Sequence, residues 1–97
     1  MKITVNIIYS GTNNSAYLFA KEMIESGTVT DIKSQEGNIK YGYYLPMDNP
    51  NELLLVDEWV SQEAIDLHHK SPMMKKIADL RKKYNLKMKV KRYTEIS

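Results

Sequence analysis

The sequence contains no cysteine, which excludes disulfide bonds and thiolate metal sites. No apolar run approaches the ~18 residues that a transmembrane helix requires. Residues 1–6 read as the start of a β-strand and lack the charged and apolar regions of a signal peptide. We therefore expect a cytoplasmic protein without a membrane partner.

Glycine is scarce, and no glycine-rich loop follows a predicted strand, so there is no sign of a phosphate-binding or dinucleotide-binding loop. The net charge is only +2, which does not by itself suggest nucleic acid. Positive charge is concentrated in the last quarter of the chain, in Lys75, Lys76, Arg81, Lys82, Lys83, Lys87, Lys89, Lys91 and Arg92. We interpret these residues as a solvated helix face and an edge strand protected by lysines.

At 97 residues, with 42% hydrophobic residues, the chain is long enough for one small domain, residues 1–97. Alternating hydrophobicity predicts strands at 2–9, 39–45, 53–60 and 86–93. Helical spacing predicts helices at 15–26 and 72–84, another after Ser61, and a short helical turn at 28–33. This order predicts an α+β fold of the ferredoxin-like β-α-β-β-α-β type, an antiparallel sheet with helices on one face.

The stretch 53–72 holds the only tryptophan and both histidines. Ser61 is a typical helix N-cap, and Ser71-Pro72 reads as the start of the next helix. The strand at 53–60 is apolar on both faces, whereas an antiparallel sheet usually leaves one face in water. The second face therefore needs a cover, and the economical one is a second copy of the chain in a homodimer.

The two histidines allow two interpretations. One is a core histidine bonded to the backbone beside a surface histidine; the other is a general base, since imidazole titrates near neutrality. Trp59 would need a partner for its N–H when buried, and Asn6 is either an exposed amide or a donor lining a pocket. Asp66 and His69 are too few ligands to predict a metal site.

The same stretch resembles the antibiotic biosynthesis monooxygenase family, whose members are small dimeric α+β barrel proteins that include quinol monooxygenases. The similarity covers nearly the whole chain. Its strongest motifs are Asp57-Glu58-Trp59, Glu63-Ala64, His68, Ser71-Pro72 and, upstream, Glu36-Gly37-Asn38-Ile39 followed by Tyr41. The family usually has glutamate where this chain has Asp57.

The resemblance implies a monooxygenase that oxidises a quinol, phenol or anthrone with O₂ and needs neither metal nor flavin. We predict that His68 is the catalytic base and that Trp59 and Asn6 orient the substrate oxygen. We further predict substrate contacts from His69, Tyr43, Met73 and Phe19.

Two alternatives share this fold. One is a non-enzymatic protein that binds a small ligand or acts in a stress response, because fold alone does not determine function. The other is the haem-degrading branch of the family, whose strand-one asparagine Asn6 could match. That branch is disfavoured because His68 occupies the position of its tryptophan and Ala78 lies near the position of its haem-ligating histidine.

Overall fold

The computed structural model describes residues 1–95, which form a four-stranded antiparallel sheet and four helices. The elements in chain order are β1 (Ile3–Ser10), α1 (Ser15–Glu25), α2 (Thr28–Lys33), β2 (Asn38–Tyr44), β3 (Glu52–Trp59), α3 (Gln62–His69), α4 (Met73–Lys83) and β4 (Lys87–Thr94). The strand order is β2-β3-β1-β4. This arrangement confirms the predicted ferredoxin-like fold, with each helical segment divided into two helices.

The hydrophobic core lies between the helices and one face of the sheet. Strand alternation on β3 places every second side chain in this core, because successive side chains of a strand point to opposite faces. The largest fully buried side chains come from α1, α2 and the two central strands, and are Trp59, Tyr9, Phe19, Met23, Ile32, Leu53 and Leu55. Within residues 1–95, every helix is too short or too polar to cross a bilayer.

The opposite face of the sheet carries the alternate residues of each strand, whose side chains point away from the helices. On this outer face, Asn6 of β1 pairs with Val56 of β3, and Ile8 pairs with Leu54. These side chains are only half-buried although most are apolar, since no helix of the described residues covers them. The prediction that β3 is apolar on both faces is therefore confirmed.

Most helix boundaries agree with the sequence signals, including the short helix α2. Ser61 caps α3 as predicted, because its Oγ accepts a hydrogen bond from the Ala64 N–H at 3.2 Å. The predicted cap at Ser71 is wrong. Its Oγ instead donates to the His68 carbonyl at 2.6 Å, and Pro72 occupies the N-cap position of α4. Ser71 therefore helps to terminate α3 directly after the two histidines.

The turn before β2 packs closely against the beginning of α3. Gly37 has a φ of +87°, and its carbonyl accepts a hydrogen bond from the Val60 N–H at 2.9 Å. A Cβ atom at this position would lie 2.5 Å from the Cβ of Ala64 and 3.0 Å from a methyl group of Val60. This close approach requires glycine and fixes α3 relative to the sheet.

Gly27 offers a matched control for this contact, because it has a φ of +82° but no neighbouring atom within 4 Å of a built Cβ. Both Gly→Ala substitutions place alanine in the left-handed region, at a cost of about 1–2 kcal/mol. We expect Gly37→Ala to lower the free energy of unfolding by a further ~1–3 kcal/mol, because it also overpacks the α3 contact. Urea denaturation of both variants measures the difference, and equal losses would show that α3 moves away freely.

Candidate active site

A cavity of about 360 Å³ lies between the helix-facing side of the sheet and helices α3 and α4. Its walls are mainly apolar, with Val5, Ile7 and Leu55 on the sheet side and Ile65 and Ile77 on the helix side. Its volume falls within the ~300–1,000 Å³ that is usual for small-molecule sites. A few polar side chains also line it, namely Tyr9, Tyr41, Asp57, Trp59, His68, His69, Arg81 and Arg92.

His68 is held at the cavity by two contacts. It is buried on the face of α3 that packs on the sheet, and its ring stacks on the indole of Trp59 with centroids 4.7 Å apart. Its Nδ1 lies 2.7 Å from Oε1 of Gln35, and this acceptor favours the neutral tautomer that carries the proton on Nδ1 and leaves Nε2 as an acceptor. Burial, and secondarily the charge of His69, lowers the pKa of His68 to about 4. The imidazole is therefore neutral at pH 7.

Asp57 is a buried carboxylate at the same end of the cavity. The fully buried Trp59 donates its Nε1–H to Oδ2 of Asp57 at 2.9 Å. The other oxygen, Oδ1, has no hydrogen-bond partner among residues 1–95. Burial raises the pKa of Asp57 to about 6, against the opposing effect of the Trp59 hydrogen bond. The arrangement leaves a carboxylate oxygen that a substrate hydroxyl could satisfy.

Two of the groups that build this site were not predicted from the sequence. Asp57 shares strand parity with the buried residues Leu53, Leu55 and Trp59, so the alternation of β3 was a signal that it is buried. Gln35 lies between α2 and β2, and its contact with His68 spans 33 residues of chain. No local pattern in the sequence indicates that contact.

The structure brings His68, Trp59 and His69 together at the cavity. The ring of His69 lies 5.8 Å from that of His68, and His69 lines the cavity from an exposed position. Asn6 is not part of this group. It pairs with Val56 and Lys91 on the outer face. Because alternate residues of a strand point to opposite faces of the sheet, Asn6 and Trp59 lie on opposite faces, and the expectation that they share a site is wrong.

Three predicted substrate contacts also lie elsewhere. Phe19 is fully buried on α1 and packs against Tyr9 and Tyr43, with centroids 4.9 and 6.3 Å away, so it belongs to the core. Tyr43 does not reach the cavity; Tyr41, one pleat nearer to Asp57 on β2, does. Met73 packs against the core, and its neighbour Met74 lines the cavity instead.

Metal ligation finds no support in the described part of the chain. No group of three or more histidine, aspartate or glutamate side chains there lies close enough together to hold a metal ion. Asp66 instead accepts a hydrogen bond from Gln62 at 2.9 Å.

Most of the residues that build this site lie in a stretch that matches a known family. Residues 23–80 match the family described as "Antibiotic biosynthesis monooxygenase". The chain belongs to this family. The match contains α2, β2, β3 and α3, and thus Gln35, Asp57, Trp59 and His68. Family membership supports a general monooxygenase-type function.

Solved structures share the fold at low sequence identity. A conserved protein from Methanosarcina mazei Go1 has 23% identity and a TM-score of 0.84, covering 99% of this chain and 94% of its own. A candidate antibiotic biosynthesis monooxygenase from Deinococcus radiodurans has 17% identity and a TM-score of 0.79, with coverages of 100% and 94%. A variant of SnoaB, a cofactor-independent oxygenase from Streptomyces nogalater, has 12% identity and a TM-score of 0.75, with coverages of 99% and 94%. No curated protein matches the sequence.

The two shifted pKa values predict opposite effects of pH on stability. The pKa of Asp57 rises from 3.8 to about 6 on folding, so the folded state holds more protons in that window and stability falls as pH rises. The pKa of His68 falls from 6.5 to about 4, so the unfolded state holds more protons and stability rises with pH. The two contributions oppose each other between pH 4 and 6.

Single variants should separate the two contributions. In His68→Gln, Asp57 remains and the free energy of unfolding should fall as the pH rises from about 4 to about 6. In Asp57→Asn, His68 remains and the free energy of unfolding should rise over the same interval. Urea denaturation at a series of pH values measures both slopes relative to the wild type, and slopes of the same sign would contradict the assignment.

Proposed function

We propose that this cavity binds an electron-rich phenol, quinol or anthrone and catalyses its oxidation by O₂ without a metal or flavin. The observation that carries the proposal is the unpartnered Oδ1 of Asp57 beside Trp59 and His68 in an apolar cavity. An oxygen acceptor in such a place suits a substrate that offers a hydroxyl on an otherwise apolar ring system.

The proton acceptor is either Asp57 or His68. The sequence predicts His68 as this base, and Asp57 is the second candidate. A base works best when its pKa lies near the working pH, and the pKa of about 6 for Asp57 meets this condition better than the pKa of about 4 for His68. We therefore assign the base to Asp57. Neutral His68, held by Gln35, then stacks on Trp59 and offers Nε2 as an acceptor that orients the substrate.

The reaction balances without an external reductant. In the anthrone case the base accepts a proton from the substrate, and the anion gives one electron to O₂, forming a substrate radical and superoxide. The two radicals combine in a C–O bond, and the peroxide anion takes a proton back. Loss of water, with the second hydrogen of the same carbon, leaves a ketone that contains one oxygen atom of O₂. Apolar walls limit the contact of these charged intermediates with bulk water once the substrate fills the cavity.

The pH dependence of turnover tests which residue is the base. With Asp57 as base, kcat/KM should rise with pH through a pKa near 6 and then level off. With His68 as base, the same rise should follow a pKa near 4. Asp57→Asn should lower kcat about 10²–10⁴-fold, the usual contribution of a general base. His68→Gln should mainly raise KM.

Oxygen uptake with simple quinols and anthrones measures both parameters. The control variant is Glu63→Gln, which changes an exposed carboxylate in the first turn of α3 and should leave turnover unchanged. Ligand binding without oxygen uptake would instead favour a non-enzymatic binding protein.

We also propose that the protein is a homodimer formed by the outer face of the sheet. Ile8, Leu54 and Val56 lie side by side on this face, and Tyr44 and Tyr93 at its borders are 45% and 49% exposed. The same face of a second copy would bury this apolar surface in an isologous interface.

Two leucine substitutions test this interface with the same chemical change. Leu54→Lys places a charge in the centre of the outer face and should convert the dimer to a monomer, because an unpaired charge is costly to bury. Leu18→Lys places the charge on α1, where the leucine is 42% exposed, and should leave the dimer intact. Size-exclusion chromatography with light scattering measures the mass, and a monomeric wild-type protein in dilute solution would contradict the proposal.

A further inference from the structure

The carboxylate of Asp57 has almost no direct contact with bulk water for the protons that it exchanges. Asp57 is 5% exposed, and one of its oxygens is bonded to Trp59. His68 does not provide a route to water, because it is neutral at pH 7 and its Nδ1 is bonded to Gln35. A proton that enters or leaves the cavity therefore needs another group, which must contact both the cavity and the solvent.

His69 meets both of these conditions. It lines the cavity, and it is exposed at the end of α3. Its ring lies 5.8 Å from the ring of His68. Burial is the main influence on the pKa values of Asp57 and His68, and the charge of His69 lowers both, as expected for near neighbours.

The imidazole of His69 is also able to gain and lose a proton in this position. Within residues 1–95 its ring makes no hydrogen bond and no ion pair. It lies in the last turn of α3, where the negative end of the helix dipole favours an imidazolium. Imidazole is the side chain whose charge ordinarily changes near neutral pH.

The other polar groups at the cavity are less suited to exchange protons. The titratable and charged side chains that line the cavity with His69 come from all four strands and from α3 and α4, and are Tyr9, Tyr41, Asp57, His68, Arg81 and Arg92. A guanidinium keeps its proton in proteins. Burial raises the pKa of Tyr9 to about 12 and that of Tyr41 well above its usual value, so both phenols keep their protons at pH 7. His69 is thus the group at the cavity that can exchange protons with water near neutral pH.

We propose that His69 is the proton carrier of this cavity and moves protons between Asp57, the reacting oxygen and bulk water. Its part in turnover rests on the function proposed above. In that reaction the imidazolium of His69 donates its proton to the peroxide anion, so an O–H bond forms as the N–H bond breaks. Neutral His69 then takes up, through water, the proton that Asp57 accepted from the substrate, and no net proton is consumed.

Anaerobic isotope exchange tests the proton carrier without any oxidation. In D₂O, Asp57 removes a methylene proton from anthrone, and a deuteron returns only if the carboxyl group first exchanges its proton with the solvent. The wild-type protein should therefore deuterate anthrone faster than buffer alone does. His69→Gln should do so at least about tenfold more slowly, because the base then returns the same proton. Mass spectrometry of the recovered anthrone measures the rate.

Chemical rescue distinguishes a proton carrier from a structural residue. Imidazole added to the buffer should restore the exchange in His69→Gln, because the position is open to solvent and free imidazole can replace the lost ring. Lys70→Gln, which removes an exposed charge from the adjacent position, should exchange like the wild type. His69→Asn is the second variant if His69→Gln does not fold by circular dichroism.

Four results would each overturn the proposal. They are exchange by the wild-type protein no faster than in buffer, unchanged exchange in the His69 variants, failure of imidazole to restore it, and an equal loss in Lys70→Gln.

Oxygen uptake separates this outcome from that of the proposed oxidation. If both proposals hold, His69→Gln should lower kcat more than kcat/KM, because the donation follows formation of the C–O bond, and imidazole should restore kcat. Exchange that depends on His69 without any oxygen uptake would reject the oxidation and keep the proton carrier. Oxygen uptake with exchange that is unaffected by His69→Gln would do the reverse.

Discussion

The hydrogen bond from Trp59 to Asp57 is the interaction on which the candidate site depends. Burying a carboxylate on the core-facing side of a central strand costs folding free energy unless its charge is compensated. The indole N–H of Trp59 bonds only one of the two oxygens of Asp57. The strand alternation of β3 leaves Asp57 no route to the outer face. The unsatisfied oxygen is therefore a cost to the folded protein, and such costs are typically found at functional sites.

The electrostatics of the site follow from the burial of Asp57 and His68. Burial disfavours the charged form of both groups, so it raises the pKa of the acid and lowers that of the imidazole. Their states at pH 7 are a carboxylate and a neutral ring. Two acceptors of different charge thus adjoin the same stacked indole, which gives the cavity one end able to take up a proton and orient a hydroxyl.

The sequence was sufficient for the fold because its signals are local. The cap at Ser61, the short helix at 28–33 and the alternation of β3 each follow from neighbouring residues. The site was only partly predictable, since it depends on which face each side chain occupies. His68 and Trp59 were found, but Asn6 has the wrong parity, and Tyr43 and Met73 are each displaced by a near neighbour. Gln35 was not found, because its contact with His68 closes 33 residues of chain and leaves no periodic signal.

The cavity extends over β3, β1 and β4 on the helix-facing side of the sheet. The large core side chains of α1 fill another part of the space over the sheet, as Phe19 does against Tyr9 of β1 and Tyr43 of β2. Over β4 the helix layer is thinner, and every residue of that strand is exposed. A ligand is the natural complement to this gap, because Met88 and Val90 would otherwise present apolar surface to water.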